Sequence, residues 1–180
     1  TIYERIGGGR LMVGEITGES IKSAIALKIK SGFAITNGSP PITIYPNIYK
    51  EKIVQGMKKP CFFIWVMDVS QEKIMRNVYT RDYQMNIRYH PEEKDTKTYE
   101  TLSDIGNKLL DKLTTIDVPI FLGRYGTGGE PIEDKKPVKG IQMSFEIKED
   151  VLQFYVTYSI RVKQMADEVL KMESLEIIQN

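Results

Sequence analysis

Strict alternation of apolar and polar residues marks strands in the middle and in the second half of the chain. In residues 79–90 one side is apolar except for Arg81, and it carries Tyr79, Tyr83, Met85, Ile87 and Tyr89. Residues 141–147 and 152–162 alternate in the same way on either side of the short polar turn Glu149–Asp150. Because side chains on one face of a strand recur every second residue, these patterns predict one strand and a later hairpin.

The stretch KKPCFFIWVMDVS, Lys58 to Ser70, is apolar at consecutive positions. It predicts a strand that starts at Pro60 or Cys61, ends near Val69 and has two apolar faces. Cys61, Phe63, Trp65, Met67 and Val69 are expected on one face, and Phe62, Ile64 and Val66 on the other. We expect one face to pack on helices. The second face has two candidate explanations. It is covered by the chain's own loops, or it is covered partly by a neighbouring subunit or by the N-terminal arm, and the sequence leaves both open.

Two segments have the apolar spacing of amphipathic helices. The first begins at Thr17, a residue suited to capping, and ends near Ser31–Gly32; its apolar positions are Ile21, Ala24, Ile25 and Ile29. The second runs from about Thr98 to Ile116, with an apolar stripe of Leu102, Ile105, Leu109, Leu113 and Ile116. Both helices are expected to pack against the predicted strands.

The remaining segments complete the predicted organisation. An irregular edge strand is expected at residues 42–48, which contain Pro46. Residues 123–140, GRYGTGGEPIEDKKPVKG, are predicted to be a long loop without regular structure. The domain prediction is a flexible glycine-rich arm at residues 1–16, an α+β domain at 17–163 and a C-terminal helical tail at 164–180.

The order of these elements predicts an α+β fold. Its expected form is an antiparallel sheet of four to five strands with two helices packed on one face, giving two layers. A chain of 180 residues is long enough to bury a substantial core in one domain.

Composition narrows the classes of function. Lysine and arginine number 25 against 24 acidic residues, so no bulk charge attracts the chain to nucleic acid or to an acidic membrane. No apolar run approaches the roughly 18 residues of a membrane span, and no signal-peptide pattern opens the chain. The single cysteine, Cys61, excludes an intramolecular disulfide and a cysteine zinc cluster and is expected to be structural. Folding in the cytoplasm is the expectation.

Catalytic chemistry has little support in the sequence. The one histidine, His90, is expected in a charged loop and has no neighbouring nucleophile. Neither GGGRLMVG nor GTGGEPIEDKK has the GxxxxGK[ST] arrangement of a phosphate-binding loop. Carboxylate pairs such as Glu92–Glu93 lie among lysines and are typical of solvated surface. We therefore predict no enzyme activity, no cofactor and no metal site.

Three segments resemble a known family. These are QGMKKPCFFI at the start of the apolar strand, the Y-x-R-x-Y-x-x-x-I-x-Y strand from Tyr79 to Tyr89, and the closing L-x-F-x-V-x-Y strand from Leu152. Over about residues 48–163 the chain resembles small tail terminator proteins of phages and phage-like particles of Gram-positive bacteria. The glycine-rich arm and residues 125–139 are not distinctive.

The resemblance implies a non-enzymatic virion protein with a β-sheet flanked by helices. It implies a ring, commonly a hexamer, that sits on the head-proximal end of the tail tube, stops tube polymerisation and joins the neck or connector. In contractile tails the ring also meets the last sheath layer, and DNA only passes through the lumen. Assembly would take place in the host cytoplasm, with the protein ending at the tail–neck junction of the virion.

The candidate assembly interface follows from this expectation. It comprises the two glycine-containing segments, residues 1–14 and 123–140, and the end of the apolar strand. The candidate residues are Arg5, Arg10, Trp65, Met67, Arg124, Tyr125, Lys135 and Lys136. Residues 1–14 and 123–140 are expected to be contacting elements. Two alternatives remain: a head-completion or neck adaptor protein on the portal side, and a small ligand-binding or enzymatic α+β domain that uses the Arg124–Tyr125 loop.

Overall fold

The computed structural model describes residues 16–37, 42–50, 56–92, 98–125 and 131–163. Predictions for the arm and for the tail beyond Lys163 lie outside the described residues, except for Ile16. The elements, in chain order, are α1 (Gly18–Gly32), β1 (Ile35–Asn37), β2 (Ile42–Ile44), β3 (Asn47–Tyr49), β4 (Cys61–Met75), β5 (Val78–His90), α2 (Thr98–Leu113), β6 (Thr115–Tyr125), β7 (Pro131–Lys148) and β8 (Val151–Lys163).

Six strands form the main sheet, in the order β3-β4-β5-β8-β7-β6. Strand β3 pairs with β4 in parallel, and the other neighbours are antiparallel. Strands β1 and β2 form a separate two-stranded ribbon. The α+β class with two helices is confirmed. The prediction of four to five strands, all antiparallel, was wrong, because β3 adds a parallel pair and β6 adds a sixth strand.

Strand β7 changes partner along its length, and this curls the sheet. Residues up to Lys139 pair with β6, and residues from Gly140 pair with β8, with a bulge between Ile141 and Ser144. A Cβ at Gly140 would lie 2.9 Å from the Leu113 carbonyl oxygen, so this corner has no room for a side chain. Helix α1 contacts both β4 and β6, which are four places apart in the sheet order. The sheet therefore wraps around the helices, which the expected pair of simple layers does not describe.

The predicted long loop at residues 123–140 is a second correction. Strand β6 extends to Tyr125 and β7 begins at Pro131, so most of the segment lies in a hairpin, and only residues 126–130 fall outside the described part. Its glycines, prolines and lysines are poor strand formers. Pairing overrides that tendency, because Val138 is buried opposite Ile116 in the core. Helix α2 accordingly ends at Leu113, before Ile116.

The core lies between the helices and one face of the sheet. The predicted helical stripes are confirmed, with Ile21, Ala24, Ile25, Ile29, Leu102, Leu109 and Leu113 all buried. The sheet contributes every second residue of its central strands: Phe62 and Ile64 from β4, Tyr83, Met85 and Ile87 from β5, and Leu152, Phe154, Val156, Tyr158 and Ile160 from β8. The predicted hairpin is also confirmed, and its turn residues Glu149 and Asp150 both have positive φ.

The C-terminal end of α2 is tied to the sheet by hydrogen bonds. The Tyr158 hydroxyl donates to the Leu113 carbonyl at 2.9 Å, and the Gly140 amide donates to the Thr114 carbonyl at 2.9 Å. The Thr114 hydroxyl donates to the Leu110 carbonyl at 2.8 Å. These bonds satisfy carbonyls that a helix end leaves without intrahelical donors. Burial raises the pKa of Tyr158, so its hydroxyl stays protonated as a donor.

Replacing Tyr158 by phenylalanine is expected to lower the free energy of unfolding by about 1–3 kcal/mol, because it leaves the buried Leu113 carbonyl without its donor. Urea denaturation measures the loss. The control is Tyr155→Phe, whose hydroxyl bonds to Glu146 and Gln153 on a half-buried site and should cost less. Equal losses in the two variants would contradict a special role for the Tyr158 bond.

Candidate assembly surface

Among the side chains that the structure describes in the main sheet, exposed apolar residues concentrate at the far end of the β4–β5 hairpin. Strand β4 continues to Met75, past its predicted end near Val69, and β5 follows after the Arg76–Asn77 turn. Strand β8 stays paired with β5 as far as Lys163 opposite Val78. We call this part, residues 69–75, 78–82 and 159–163, the extension. Within the extension, Val69, Ile74 and Met75 are between 45% and 59% exposed, and so is Met67, which lies two residues before it on β4.

A bulge at Met67 changes which way β4 presents its side chains. Val66 pairs with Met85, but Asp68 pairs with Gln84, so Met67 is the extra residue. Because one inserted residue exchanges the two faces of a strand, Val69 lies on the helix side, opposite Tyr83. The predicted common face from Cys61 to Val69 is therefore wrong beyond the bulge.

The first half of β4 is covered on both faces by its own chain. Cys61 and Phe63, on the side away from the helices, are as buried as Phe62 on the helix side. Tyr49 of β3 stacks on Phe63, with ring centroids 5.1 Å apart. Trp65 is half-buried, and the Arg88 guanidinium lies 4.5 Å from its ring centroid. Cover from the chain itself is thus confirmed for Cys61 and Phe63, and exposure begins after Trp65.

The side of β5 that faces away from the helices is polar. In the described part of the chain, the buried side-chain atoms without a hydrogen-bond partner are Asp82 Oδ1, Asn86 Oδ1, Arg88 Nε and His90 Nε2. All four residues have even numbers on one strand, so they share this face. A buried polar atom without a partner is costly. The face therefore holds donors and acceptors that a covering molecule or water could satisfy.

The two residues with candidate nucleophilic or acid–base chemistry lie side by side. Cys61 pairs with His90 across β4 and β5, and His90 meets the Phe63 ring edge-on at 5.4 Å between centroids. Burial raises the pKa of the Cys61 thiol more than Lys59 lowers it. Burial, with the positive charges of Lys59 and Arg88, lowers the pKa of His90. Both groups are thus held neutral, and Cys61 is a buried thiol, not an activated thiolate. His90 itself ends β5, where a loop position was predicted.

The described segments contain no group of three or more histidine, cysteine or acidic residues placed to hold a metal ion. Within the same segments, neither helix is long and apolar enough to cross a membrane.

A second exposed apolar surface lies around the β1–β2 ribbon. Ile35 and Ile44 face each other across the two strands and are both exposed, as are Leu27 of α1 and Tyr45. Lys30, one helical turn from Leu27, lies 4.8 Å from the Tyr45 ring centroid. We call these residues the ribbon patch. Clusters of exposed apolar residues mark interaction sites more often than isolated ones do.

The two apolar surfaces lie at opposite ends of β4. Tyr45 is two residues before Asn47, which pairs with Cys61 at the start of β4. The extension ends at Met75, 14 residues further along. At about 3.3 Å per residue the tip of the extension lies about 45 Å from the start of β4, and Val69, the residue of the extension nearest that start, lies about 26 Å from it.

The structure separates the predicted interface residues into two groups. Trp65 and Met67 lie on β4, with Met67 exposed and Trp65 half-buried. Lys135 and Lys136 are exposed on β7, and Arg124 and Tyr125 belong to the backbone of β6, their side chains lying outside the description. Two strands, β5 and β8, stand between these groups in the sheet order. Arg5 and Arg10 fall outside the described residues.

Sequence reasoning missed Ile74, Met75 and the ribbon patch. The signal for the first two is the Arg76–Asn77 pair between two strand-like runs, since Asn readily adopts the positive φ that Asn77 shows. No comparable signal identifies Ile35 and Ile44 as exposed, because isoleucine in a short strand is as typical of a core.

The chain matches a known protein family. A family model described as "Phage tail terminator protein" matches residues 20–169, which include most of α1 and every described element after it. No curated protein matches the chain.

Replacing His90 by glutamine is expected to flatten the pH dependence of stability below about pH 6.5. A histidine whose pKa is lowered by folding binds its proton more weakly in the folded chain than in the unfolded chain. Its contribution is complete above the unfolded pKa, near 6.5, and is lost as pH falls from there through the lowered folded pKa.

Urea denaturation at about pH 7 and about pH 5.5 measures this contribution, since unperturbed carboxylates titrate below that window. The control is Gln153→Asn, on the same face and without a titrating group. A His90→Gln variant that loses as much stability on acidification as the native chain would show that His90 does not carry the effect.

Proposed function

Because this chain belongs to the phage tail terminator family, we propose that it forms a ring on the head-proximal end of the tail tube, where it stops tube polymerisation and joins the tail to the neck. The observation that carries the proposal is the family match over residues 20–169, since it includes nearly the whole described fold. The family is one of virion tail components with a structural role. The proposed role needs neither a cofactor nor a catalytic step.

A ring needs two different surfaces on each copy. A head-to-tail contact that closes by rotation joins one patch of a protomer to a different patch of the next. The extension and the ribbon patch differ in composition, and the tip of the extension lies about 45 Å along β4 from the end that the ribbon patch adjoins. This separation supports a head-to-tail contact, because a neighbour can occupy one surface without blocking the other.

We assign the extension to one half of the ring contact and the ribbon patch to the other. Met75 and Ile74 at the tip of the extension are exposed, and so are Ile35 and Ile44 of the ribbon. Burying such side chains contributes roughly 1.5–3 kcal/mol each relative to leaving them in water. A few of them would supply much of the association energy that a stable ring requires.

The β6–β7 hairpin is proposed to meet the tube or the neck. It is long, it carries exposed Lys135 and Lys136, and it lies at the opposite end of the sheet order from β4. Because neighbouring residues of a strand point to opposite faces, the two lysines present positive charge on both sides of the hairpin. Tube, connector and, in contractile tails, sheath are the proposed partners, with DNA only passing through the lumen.

Removing the protein from assembling particles tests its position in the tail. Loss of a terminator is expected to give tubes of uncontrolled, excessive length, because the tube end stays open to further subunits. Electron microscopy of negatively stained particles measures the length distribution. Finished tails of normal length that are detached from heads would instead support the portal-side adaptor, and normal particles would contradict both roles.

Replacing Met75 by lysine is expected to weaken ring formation by about 100-fold or more, since a buried apolar contact worth roughly 2–3 kcal/mol is lost and a charge is placed in it. Light scattering coupled to size-exclusion chromatography, at several concentrations, measures the association. The matched control is Tyr99→Lys, an exposed aromatic on α2 that belongs to neither the extension nor the ribbon patch. If the two variants assemble equally well, the extension is not part of the ring contact.

A further inference from the structure

Strand β4 has a free edge over most of its length. Within the described residues, β3 pairs with it only from Cys61 to Phe63, and beyond that point its neighbour is β5 alone. After the bulge at Met67, the pairing with β5 is regular from Asp68 to Lys73. We call these residues the β4 edge. Their backbone N–H and C=O groups on the side away from β5 face no described strand.

The other open edges of the main sheet are interrupted by proline. Strand β6 contains Pro119, and the part of β7 that pairs with β6 begins at Pro131 and contains Pro137. Strand β3 is three residues long and follows Pro46. Proline has no N–H to donate and blunts an edge against a further strand. Residues 64–75 of β4 contain neither proline nor glycine, so among the described edges the β4 edge is the one suited to accept a strand.

The β1–β2 ribbon lacks a third strand. It is a sheet of two strands of three residues each, and it makes no extensive contact with any other described helix or strand. An isolated pair of strands is marginally stable in water, and a third strand or a packed face stabilises it. Pro41 precedes β2 and Pro46 follows it, whereas no proline adjoins β1. The outer edge of β1 is thus the side of the ribbon on which a strand can be added.

The two faces of the ribbon match the two faces of the β4 edge. Ile35 and Ile44 are cross-strand partners on one face, and the intervening position, Thr36, belongs to the other. On the β4 edge, Val69 lies on the helix side and is 47% exposed, and Ser70 lies on the outer side. With its isoleucines on the helix side, β1 would extend the apolar surface of Val69. The same placement sets Thr36 beside Ser70, a favourable neighbour for a threonine.

The charges are compatible with this placement. The β4 edge carries Asp68, Glu72 and Lys73, and like charges directly opposite one another destabilise a strand pair. Residues 31–49, which include the whole ribbon, contain no charged side chain. Strand β1 therefore places no charge against those of the β4 edge, whereas a charged strand such as β7 does.

A ribbon that pairs with the β4 edge must come from another copy. In its own molecule the ribbon adjoins the start of β4, because Tyr45 lies two residues before Asn47, the partner of Cys61. At about 3.3 Å per residue, Asp68 lies about 23 Å and Lys73 about 40 Å beyond Cys61. The ribbon strands are only about 10 Å long, so a chain's own ribbon does not reach its β4 edge.

We propose that β1 of one copy adds as a strand to the β4 edge of the next copy, so that a continuous sheet joins neighbouring subunits. The inference rests on the proposed ring and identifies a backbone contact within it. Each copy offers one β4 edge and one ribbon, so the addition runs head to tail and is complete once the ring closes.

Cysteine variants of the full-length protein, mixed in pairs under mild oxidation, test the proposal. Thr36→Cys is combined with each member of a series on the β4 edge: Asp68→Cys, Val69→Cys, Ser70→Cys, Gln71→Cys and Glu72→Cys. We expect disulfides between molecules at even-numbered positions, several-fold more than at odd-numbered ones, because side chains of a strand alternate between faces. Ile35→Cys should reverse the preference. Cys61 is buried and is retained, and the control Lys136→Cys on β7 should stay unlinked.

Each other result overturns the strand addition. Linking without alternation would indicate packing of side chains and not pairing of strands. A disulfide-linked dimer formed by Ser70→Cys alone, more readily than with Thr36→Cys, would assign the β4 edge to a second β4. Linking of Thr36→Cys no stronger than in the Lys136→Cys control would place the ribbon elsewhere.

Hydrogen exchange of the native chain gives an independent measurement, with and without assembly. Alternate N–H groups of an edge strand point away from its neighbour, so we expect every second amide of residues 68–73 to become at least tenfold slower to exchange in the ring. Unchanged exchange in an assembled ring that still limits tail length would overturn the strand addition and leave the proposed function standing. A chain that neither associates nor limits tail length would overturn both.

Discussion

The fold depends on the apolar face that β5 and β8 share. Tyr83, Met85 and Ile87 of β5 pair with Tyr158, Val156 and Phe154 of β8, and all six are buried beneath the helices. Helix α2 contacts β8 and β7, helix α1 contacts β4 and β6, and one terminus of each helix is fixed on this face. Tyr83 holds the entry to α1, and Tyr158 holds the exit from α2. The hydroxyls thus place the helices, while the apolar burial supplies most of the stabilisation.

Much of this architecture could be predicted because it has a local signature. The period-two runs at residues 79–90 and 152–162 and the helical stripes of α1 and α2 each bury one face, and such patterns are visible in one segment alone. The β6–β7 hairpin has no such signature, since Pro137 and the neighbouring lysines oppose strand formation and only pairing with β6 overrides them. The parallel partner of β4 was likewise invisible, because three residues give no detectable period.

The candidate surface was predictable only in part, for a related reason. The apolar stretch from Cys61 indicated excess apolar surface on β4, and Met67 is indeed exposed. Which residues carry that excess depends on the bulge at Met67, and a bulge is defined by the partner strand, not by the strand that contains it. Trp65 is half-buried because Arg88 of the adjacent strand lies over its ring. The bulge at Met67 and the position of Arg88 over Trp65 each depend on two paired strands. They could therefore not be predicted from the sequence of one segment.

The bulges in β4 also limit the tendency of this protein to aggregate. Within the described residues, β3 pairs with the free edge of β4 only from Cys61 to Phe63. The rest of that edge therefore has backbone N–H and C=O groups that a strand of another molecule can pair with. Irregularities at Met67 and Ile74 divide that length into short pieces, and Asp68, Glu72 and Lys73 add charge between them. These features oppose the repeated addition of strands from other molecules, which leads to amyloid-like aggregates, while the apolar tip remains accessible.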